Sequence, residues 1–546
     1  MAAANRVTAI SSNVRHIHTF KPSMWGHIFS TFSFDNQVQE KYTKEMEALK
    51  NEIRRMLMAA NSTKLMILID KLERLGIAYH FELEVEEKLK QIYDFAEEEY
   101  YGDLLSTSLR FRLLRQHQFH VSCNVFEKFV EEDKKLKESL CNDVEGLLSL
   151  YEAAHVRIHG ENILDEAVEF TVDHLNRMVP ELKSPIKEKV QQALQLSIHR
   201  GVPILTVRFY ISIYESMDDD QLLLKLAKIN FNFLQNMYRK ELSELSRWWN
   251  KFDLKSKLPF VRDRVVECYL LGTAYGYEPQ YAHVRRDVAK SVLMVTVMDD
   301  MYDNYATLEE AQLFTHILDR WDMEEIDVLP EYMRIAYRFI MSIFQEYEHE
   351  ATKQDKLFAV PYFKETVKQL GRAYNQELKW VMEGEMPCYE EYMRNSVITS
   401  CVYVMFTAFI PTMKSFNEET IQWLLSAPKI VTSTAKLGRQ LQDLASHERE
   451  NKKGELPTVV DCYMKDKSAS KQDALSKFVE LIENGWKDVN EELVKVNYVP
   501  KKVVEQVLCF GGIAEVLYKD KEDGFTYPER QLASRIAALY IDPLLI

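Results

Sequence analysis

The stretch Ser291 to Leu308 limits the folds open to this chain more than any other. It reads Ser-Val-Leu-Met-Val-Thr-Val-Met-Asp-Asp-Met-Tyr-Asp-Asn-Tyr-Ala-Thr-Leu. An almost wholly apolar run has to be buried, yet it ends in Asp299, Asp300 and Asp303. On a helix Asp299 and Asp303 are four apart and share a face, with Asp300 beside it. Carboxylates crowded at the mouth of an apolar helix repel one another and lose water, so something cationic must offset them. Mg²⁺ is the natural partner, taking one or two carboxylates together with substrate phosphates. A solvated acidic helix end is the plainer alternative.

The rest of the chain fits a helical frame. Apolar residues at three-four spacing recur in Glu82 to Phe95, Leu104 to Gln116, Asp143 to Ala154 and Ile163 to Met178, and no strand alternation is sustained anywhere. The spacing therefore predicts an all-α protein. In Leu104 to Gln116, Leu109, Leu113 and Leu114 are set against Arg110, Arg112 and Arg115 as an amphipathic pattern. At 546 residues the chain exceeds one ordinary core, so two domains are expected. The charged break Met217-Asp-Asp-Asp220 suggests a boundary near residue 225, giving domains 1–225 and 226–546. A second helical series follows it, in which Cys388 to Met413 reads as a single helix.

Charge and cysteine usage exclude some functions. The formal net charge is −15, which argues against nucleic acid as a partner, since a phosphate backbone requires a basic face. The seven cysteines are scattered, with no Cys-x-x-Cys pair, which suits a reducing compartment and argues against zinc. No secretory signal is visible at the N-terminus, and the acid-poor residues before Asp35 only faintly resemble a transit peptide. A cytoplasmic monomer is the expectation. Ser396 to Met413 is barely long enough to span a bilayer, and its Ser, Thr and Pro content favours a buried core helix.

Two further features complement the acidic run. Leu258-Pro-Phe-Val-Arg-Asp-Arg264 places Arg262 and Arg264 just after a proline, where both can point one way and their forks match phosphate oxygens. In Leu437 to Glu450, Gln442, Ser446 and Glu450 fall four and four apart on one helical stripe. A carbonyl, a hydroxyl and a carboxylate can all ligate a hard cation. Arg439 lies one turn earlier.

Together these motifs resemble those of the plant class I terpene synthases, of the sesquiterpene cyclase type. Pro22-Ser-Met-Trp25, Thr107 to Arg115, Arg247-Trp-Trp249, Lys257-Leu-Pro259, Glu278-Pro-Gln-Tyr281, Arg320-Trp-Asp322 and Asp523-Gly-Phe-Thr-Tyr527 extend the likeness over nearly the whole chain. The resemblance implies a C-terminal catalytic α-bundle and an N-terminal relic α-barrel domain, with the first thirty or so residues packing on the catalytic domain. It implies three Mg²⁺ ions (Mn²⁺ being a possible substitute) and a prenyl diphosphate, farnesyl diphosphate, as substrate. Asp299, Asp300 and Asp303 would form one metal face, and Gln442, Ser446 and Glu450 the other, with Asp443 in partial support. Arg262, Arg264 and Arg439 would hold the diphosphate. Leu271, Tyr403, Tyr518 and Phe525 would line the pocket, and Asp523 would sit in the loop covering it.

The chain also departs from that pattern. Gln442 stands where Asn or Asp is usual, which predicts weaker binding of the third ion. Leu271 replaces a frequent Trp and enlarges the pocket. The tandem arginine of many plastidial relatives is reduced to Arg15-His16, which favours the C15 over the C10 substrate. No Asp-x-Asp-Asp motif occurs in residues 1–225. A geranyl-using or dual-substrate enzyme, or a weakened relative, remains the alternative.

Overall fold

The computed structural model describes residues 20–94, 102–132, 135–217, 220–453, 457–496 and 498–546, without the side chains of 448–453 and 520. Arg15-His16 and the leader lie outside these residues. Among the described residues every regular element is helical, and the one β contact is an isolated bridge between Val130 and Leu136. Two compact units divide the chain. One comprises 33–238, 487–498 and 535–546; the other comprises the stretch before Ser33, 239–486 and 499–534. Residue 225 falls inside a continuous helix, Gln221–Phe252. The change of unit comes within that helix, at Tyr238 and Arg239.

The 33–238 unit is built from capped amphipathic helices. Asp35 accepts from the Gln37 and Val38 amides at the start of Asn36–Ala59, and Asp103 accepts from the Ser106 amide at the start of Leu104–Gln116. Such caps satisfy otherwise orphaned N–H groups. Leu104–Gln116 departs from the amphipathic reading, because Arg112 and Arg115 are each only 2% exposed. Arg115 donates to Glu161 Oε2 at 2.7 Å and to the Val121 carbonyl at 2.6 Å. Arg112 and Arg74 share Asp70. A guanidinium can be buried when each edge meets an anion or a carbonyl.

In the other unit seven helices form a closed ring: α1 (Val265–Tyr275), α2 (Ala282–Asn304), α3 (Ala359–Glu383), α4 (Tyr389–Thr399), α5 (Val402–Ala408), α6 (Lys429–Lys453) and α7 (Lys501–Tyr518). Contacts run from α1 to α2, α3, α4, α6 and α7 in turn, then back to α1; α5 continues α4 and packs on α2 and α3. Ser291 to Met298 of α2 are buried on all sides, as their composition requires. The pair α1–α2 is close because of Gly272, where a Cβ would fall 2.2 Å from the Arg285 carbonyl oxygen. Arg285, fully buried, then closes that corner through Glu241 (2.7 Å) and the Gly276 and Glu278 carbonyls. Residues 20–32 also belong to this unit. Trp25 Nε1 donates to Glu267 Oε1 of α1 at 2.8 Å.

The single helix read at Cys388 to Met413 is broken. α4 ends at Thr399, and Cys401 adopts a left-handed φ of 60° before α5 begins. The hydroxyls explain the break. Ser396 and Ser400 donate to the Met393 and Val397 carbonyls, and Thr399 turns to Glu377. Side-chain bonds of this kind compete with the helical ladder. By length and composition this region is the one described stretch apolar enough to cross a membrane, and it is mostly buried within the protein.

Candidate active site

The ring encloses a cavity. Its apolar and aromatic wall comes from Leu271 and Tyr275 of α1, Tyr374 of α3, Phe510 and Tyr518 of α7, and Phe525. Thr399, Ser400 and Cys401 at the helix break also face it. Gly438 lets α6 approach α7 here, since a Cβ would meet Phe510 at 2.9 Å.

The polar mouth begins where α2 ends. Arg262, in the loop before α1, donates its backbone N–H to Asp300 Oδ2 at 2.7 Å and Nη2 to Asp299 Oδ2 at 2.5 Å. Its Nε lies 2.9 Å from Asp300 Oδ1. The guanidinium sits between the Phe20 and Phe525 rings, 5.3 and 5.4 Å from their centroids, a placement that favours cations. Asp300 is fully buried; burial pushes its carboxyl up to about 6, while Arg262 works against the shift. Asn304 Nδ2 donates to its other oxygen at 3.1 Å. Asp300 therefore anchors Arg262 and does not open to the cavity.

Asp303 differs from its neighbour. Its Oδ1 is buried with no hydrogen-bond partner. Burial pushes its carboxyl well above the ordinary range, and the charges of Asp299 and Glu377 push it further. Glu377, buried on α3, accepts from Thr399 Oγ1 at 2.8 Å and is also raised by burial. An orphaned, buried carboxylate oxygen beside other acids is a place a cation fits.

Gln442 of α6 lines the same cavity as Asp299. Ser446, one turn on, is 2% exposed. The side chain of Glu450 lies outside the described residues. Arg439 donates Nη2 to the Tyr392 hydroxyl at 2.7 Å, and its Nε lies 2.8 Å from Asp443 Oδ1. Asp443 also accepts from the Tyr392 hydroxyl at 2.7 Å and from the Val459 N–H at 2.8 Å. With its oxygens taken up inside the fold, Asp443 is not a ligand in this arrangement. It orients Arg439.

Two other expectations shift position, Arg264 and Tyr403, while Asp523 stays in its loop. Arg264 does not line the cavity: its guanidinium donates to the Phe525 and Thr526 carbonyls at 3.1 and 2.9 Å and so holds the C-terminal loop. Asp523 stabilises that loop from within, accepting from the Thr526 N–H at 2.9 Å. Tyr403 faces a separate surface hollow with Met393 and Ile398, because the break at Cys401 turns α5 relative to α4. Leu271, Tyr518 and Phe525 do line the cavity. Sequence reasoning missed Tyr275, Tyr374, Glu377 and Phe510. Tyr374 and Glu377 stand three apart on one helix, a spacing that could have paired them with the acidic run.

Comparison with known proteins agrees with this geometry. Residues 24–194 match the model for the terpene synthase N-terminal domain, and residues 250–488 match that for the terpene synthase family metal binding domain. A gamma-cadinene synthase of Ocimum basilicum is 52% identical, over 97% of this chain and 98% of its own. A tau-cadinol synthase of Lavandula angustifolia is 50% identical over the whole of both chains. The crystal structure of isoprene synthase from grey poplar (Populus x canescens), in complex with three Mg²⁺ ions and dimethylallyl-S-thiolodiphosphate, superposes with a TM-score of 0.88. It is 32% identical, with 92% of this chain and 97% of that one covered.

Proposed function

The chain belongs to the terpene synthase family, and from that premise we propose that it is a sesquiterpene synthase: it ionises farnesyl diphosphate, cyclises the cation and releases diphosphate. The observation that carries the reading is the pairing of Arg262 with Asp299 at the mouth of an aromatic cavity that Gln442 also lines. The two relatives above, sesquiterpene synthases at about 50% identity over full length, support the C15 substrate.

Asp299 and Asp303 would hold Mg²⁺ on one side, and Gln442, Ser446 and Glu450 on the other. Three ions are proposed by analogy with the isoprene synthase complex, and Mn²⁺ suits the same oxygens. When bound, the metal supplies positive charge to the departing diphosphate. The chain's own residues do the rest. Arg262 is held charged: burial opposes this, and Asp300, Asp299 and Asp523 outweigh it. Its guanidinium holds Asp299 and Asp300 here, and the same fork would suit phosphate oxygens; Arg439, whose charge acts on Asp303, would join it. Tyr275, Tyr374 and Phe510 exclude water and offer ring faces to a developing carbocation. Arg264 and Asp523 keep Phe525 in place over the mouth. The seven free cysteines support a cytoplasmic, reducing setting.

The test is direct. Purified protein with Mg²⁺ is given farnesyl or geranyl diphosphate, and volatiles and released diphosphate are measured. A C15 hydrocarbon or alcohol from farnesyl diphosphate is expected. Turnover of geranyl diphosphate alone, or of neither substrate, overturns the proposal.

A further inference from the structure

Three side chains of the 33–238 unit converge in a place that the chemistry above does not use. Glu138 and Cys141 stand three apart on the short 3-10 helix Glu138–Asn142. In such a helix residues i and i+3 eclipse, so both project to one side. His174, on the helix Asn162–Met178, meets them there. Cys141 Sγ lies 3.0 Å from His174 Nε2 and 3.2 Å from Glu138 Oε2. One donor atom from each residue lies within 4.8 Å of the other two.

The imidazole is fixed from behind. His174 Nδ1 lies 2.8 Å from the Phe170 carbonyl oxygen, and its ring centroid lies 4.2 Å from that of Phe170. A carbonyl only accepts, so Nδ1 carries the proton and Nε2 presents a lone pair to the sulfur. Cys141 thus has two acceptors, Nε2 and the Glu138 carboxylate, and one weak S–H donor. Only one of them can receive that hydrogen. The other faces sulfur lone pairs, a conflict that a cation between the three groups would remove.

We propose that Glu138, Cys141 and His174 form a Zn²⁺ site, with solvent in the fourth position. A thiolate, an imidazole and a carboxylate suit Zn²⁺ better than hard Mg²⁺. Binding releases the Cys141 proton to solvent, and the thiolate and carboxylate then balance the ion's two charges. Tetrahedral bonds of about 2.0 to 2.3 Å place neighbouring ligand atoms roughly 3.3 to 3.8 Å apart, so Cys141 Sγ needs to draw away from Nε2 and Oε2 by less than about 1 Å.

The full chain, stripped with EDTA and held in excess Mg²⁺, is titrated with Co²⁺ as the probe. One equivalent is expected to produce thiolate-to-cobalt absorption that Zn²⁺ abolishes. Cys141→Ser and His174→Gln should each lose the band, or weaken cobalt binding at least tenfold, with unchanged circular dichroism and unchanged diphosphate release. Asp303→Asn should keep it. In the unsubstituted protein, Zn²⁺ should slow alkylation of Cys141 at least tenfold by mass spectrometry, a readout that needs no variant. Absorption that never appears, absorption that survives both substitutions, or alkylation that Zn²⁺ does not slow overturns the site.

Discussion

Both units bury charge, but they balance it differently. In the 33–238 unit, burial works against the Asp70 carboxylate, yet Arg74 and Arg112 overcome it and hold the group below its usual range. Glu161 has both oxygens on Arg115. In the catalytic unit, Asp303 is half-buried, but acids surround it and one buried oxygen has no donor. Arg262 reaches Asp299 and Asp300 and leaves Asp303 out. Burial of a charged group therefore does not mark a site here. At Asp303 the crowding by other acids and the orphaned oxygen together leave room for a partner from outside the chain.

The contrast can be broken most severely where the charges are balanced. Arg115→Met leaves Glu161 buried without a cation, held by the Ile158 N–H, and strands the Val121 carbonyl. That should cost about 3–5 kcal/mol of stability, read by chemical denaturation. Turnover per folded molecule should not change, since Arg115 is not among the cavity residues. A loss under 1 kcal/mol would show that the pair is not needed for the fold.

Asp303→Asn should behave in the opposite way. It removes a charge that its neighbours disfavour, so stability should hold or rise slightly. Turnover should fall about 10²- to 10³-fold, roughly 3–4 kcal/mol of transition-state stabilisation. Stability lost together with activity would mean that Asp303 is an ordinary structural acid.

The units can also be compared by pH. His199 is buried, and its Nε2–H donates to Asn490 Oδ1 at 2.7 Å. Burial lowers its pKa to about 4, although the Asn490 bond opposes the shift. Between about pH 6.5 and 4 the unfolded chain takes up a proton that the folded chain refuses. Stability therefore falls as the pH drops through that window, by roughly 3 kcal/mol in all. Denaturation curves at several pH values should show this slope, and His199→Gln should flatten it.

What could be read in advance follows from the range of each signal. Helix positions were legible because apolar spacing is local: Leu104–Gln116 and Leu308–Arg320 begin and end where the pattern does. The acidic run was legible for the same reason. The break at Cys401 was not, because it depends on Thr399 choosing Glu377, a residue on another helix. The break leaves Tyr403 outside the cavity and puts Cys401 on its wall. Arg264 and Asp443 looked like phosphate and metal groups by type and spacing. Only the fold supplies the Phe525, Thr526 and Val459 backbone groups that occupy them. The Cys141–His174 contact joins residues 33 apart in sequence, so no short motif could announce it.

The finest distinction concerns the second wall, where Gln442 faces the cavity that Asp299 faces from the first. Its amide oxygen is neutral and stands one methylene farther out than that of Asn. A neutral ligand on a longer stem loses more side-chain freedom when it is fixed and adds no charge attraction. Gln442→Asn should therefore lower the Mg²⁺ concentration needed for half-maximal turnover by roughly threefold to tenfold, about 1 kcal/mol. Gln442→Asp adds charge and should lower it at least as far. The balanced acids Asp70 and Glu161 predict no Mg²⁺ response, so Arg115→Met should leave the same titration unmoved. An unchanged Mg²⁺ dependence in both Gln442 variants would mean that the second wall binds metal without this residue, and that only Ser446 and Glu450 remain to close the site from that side.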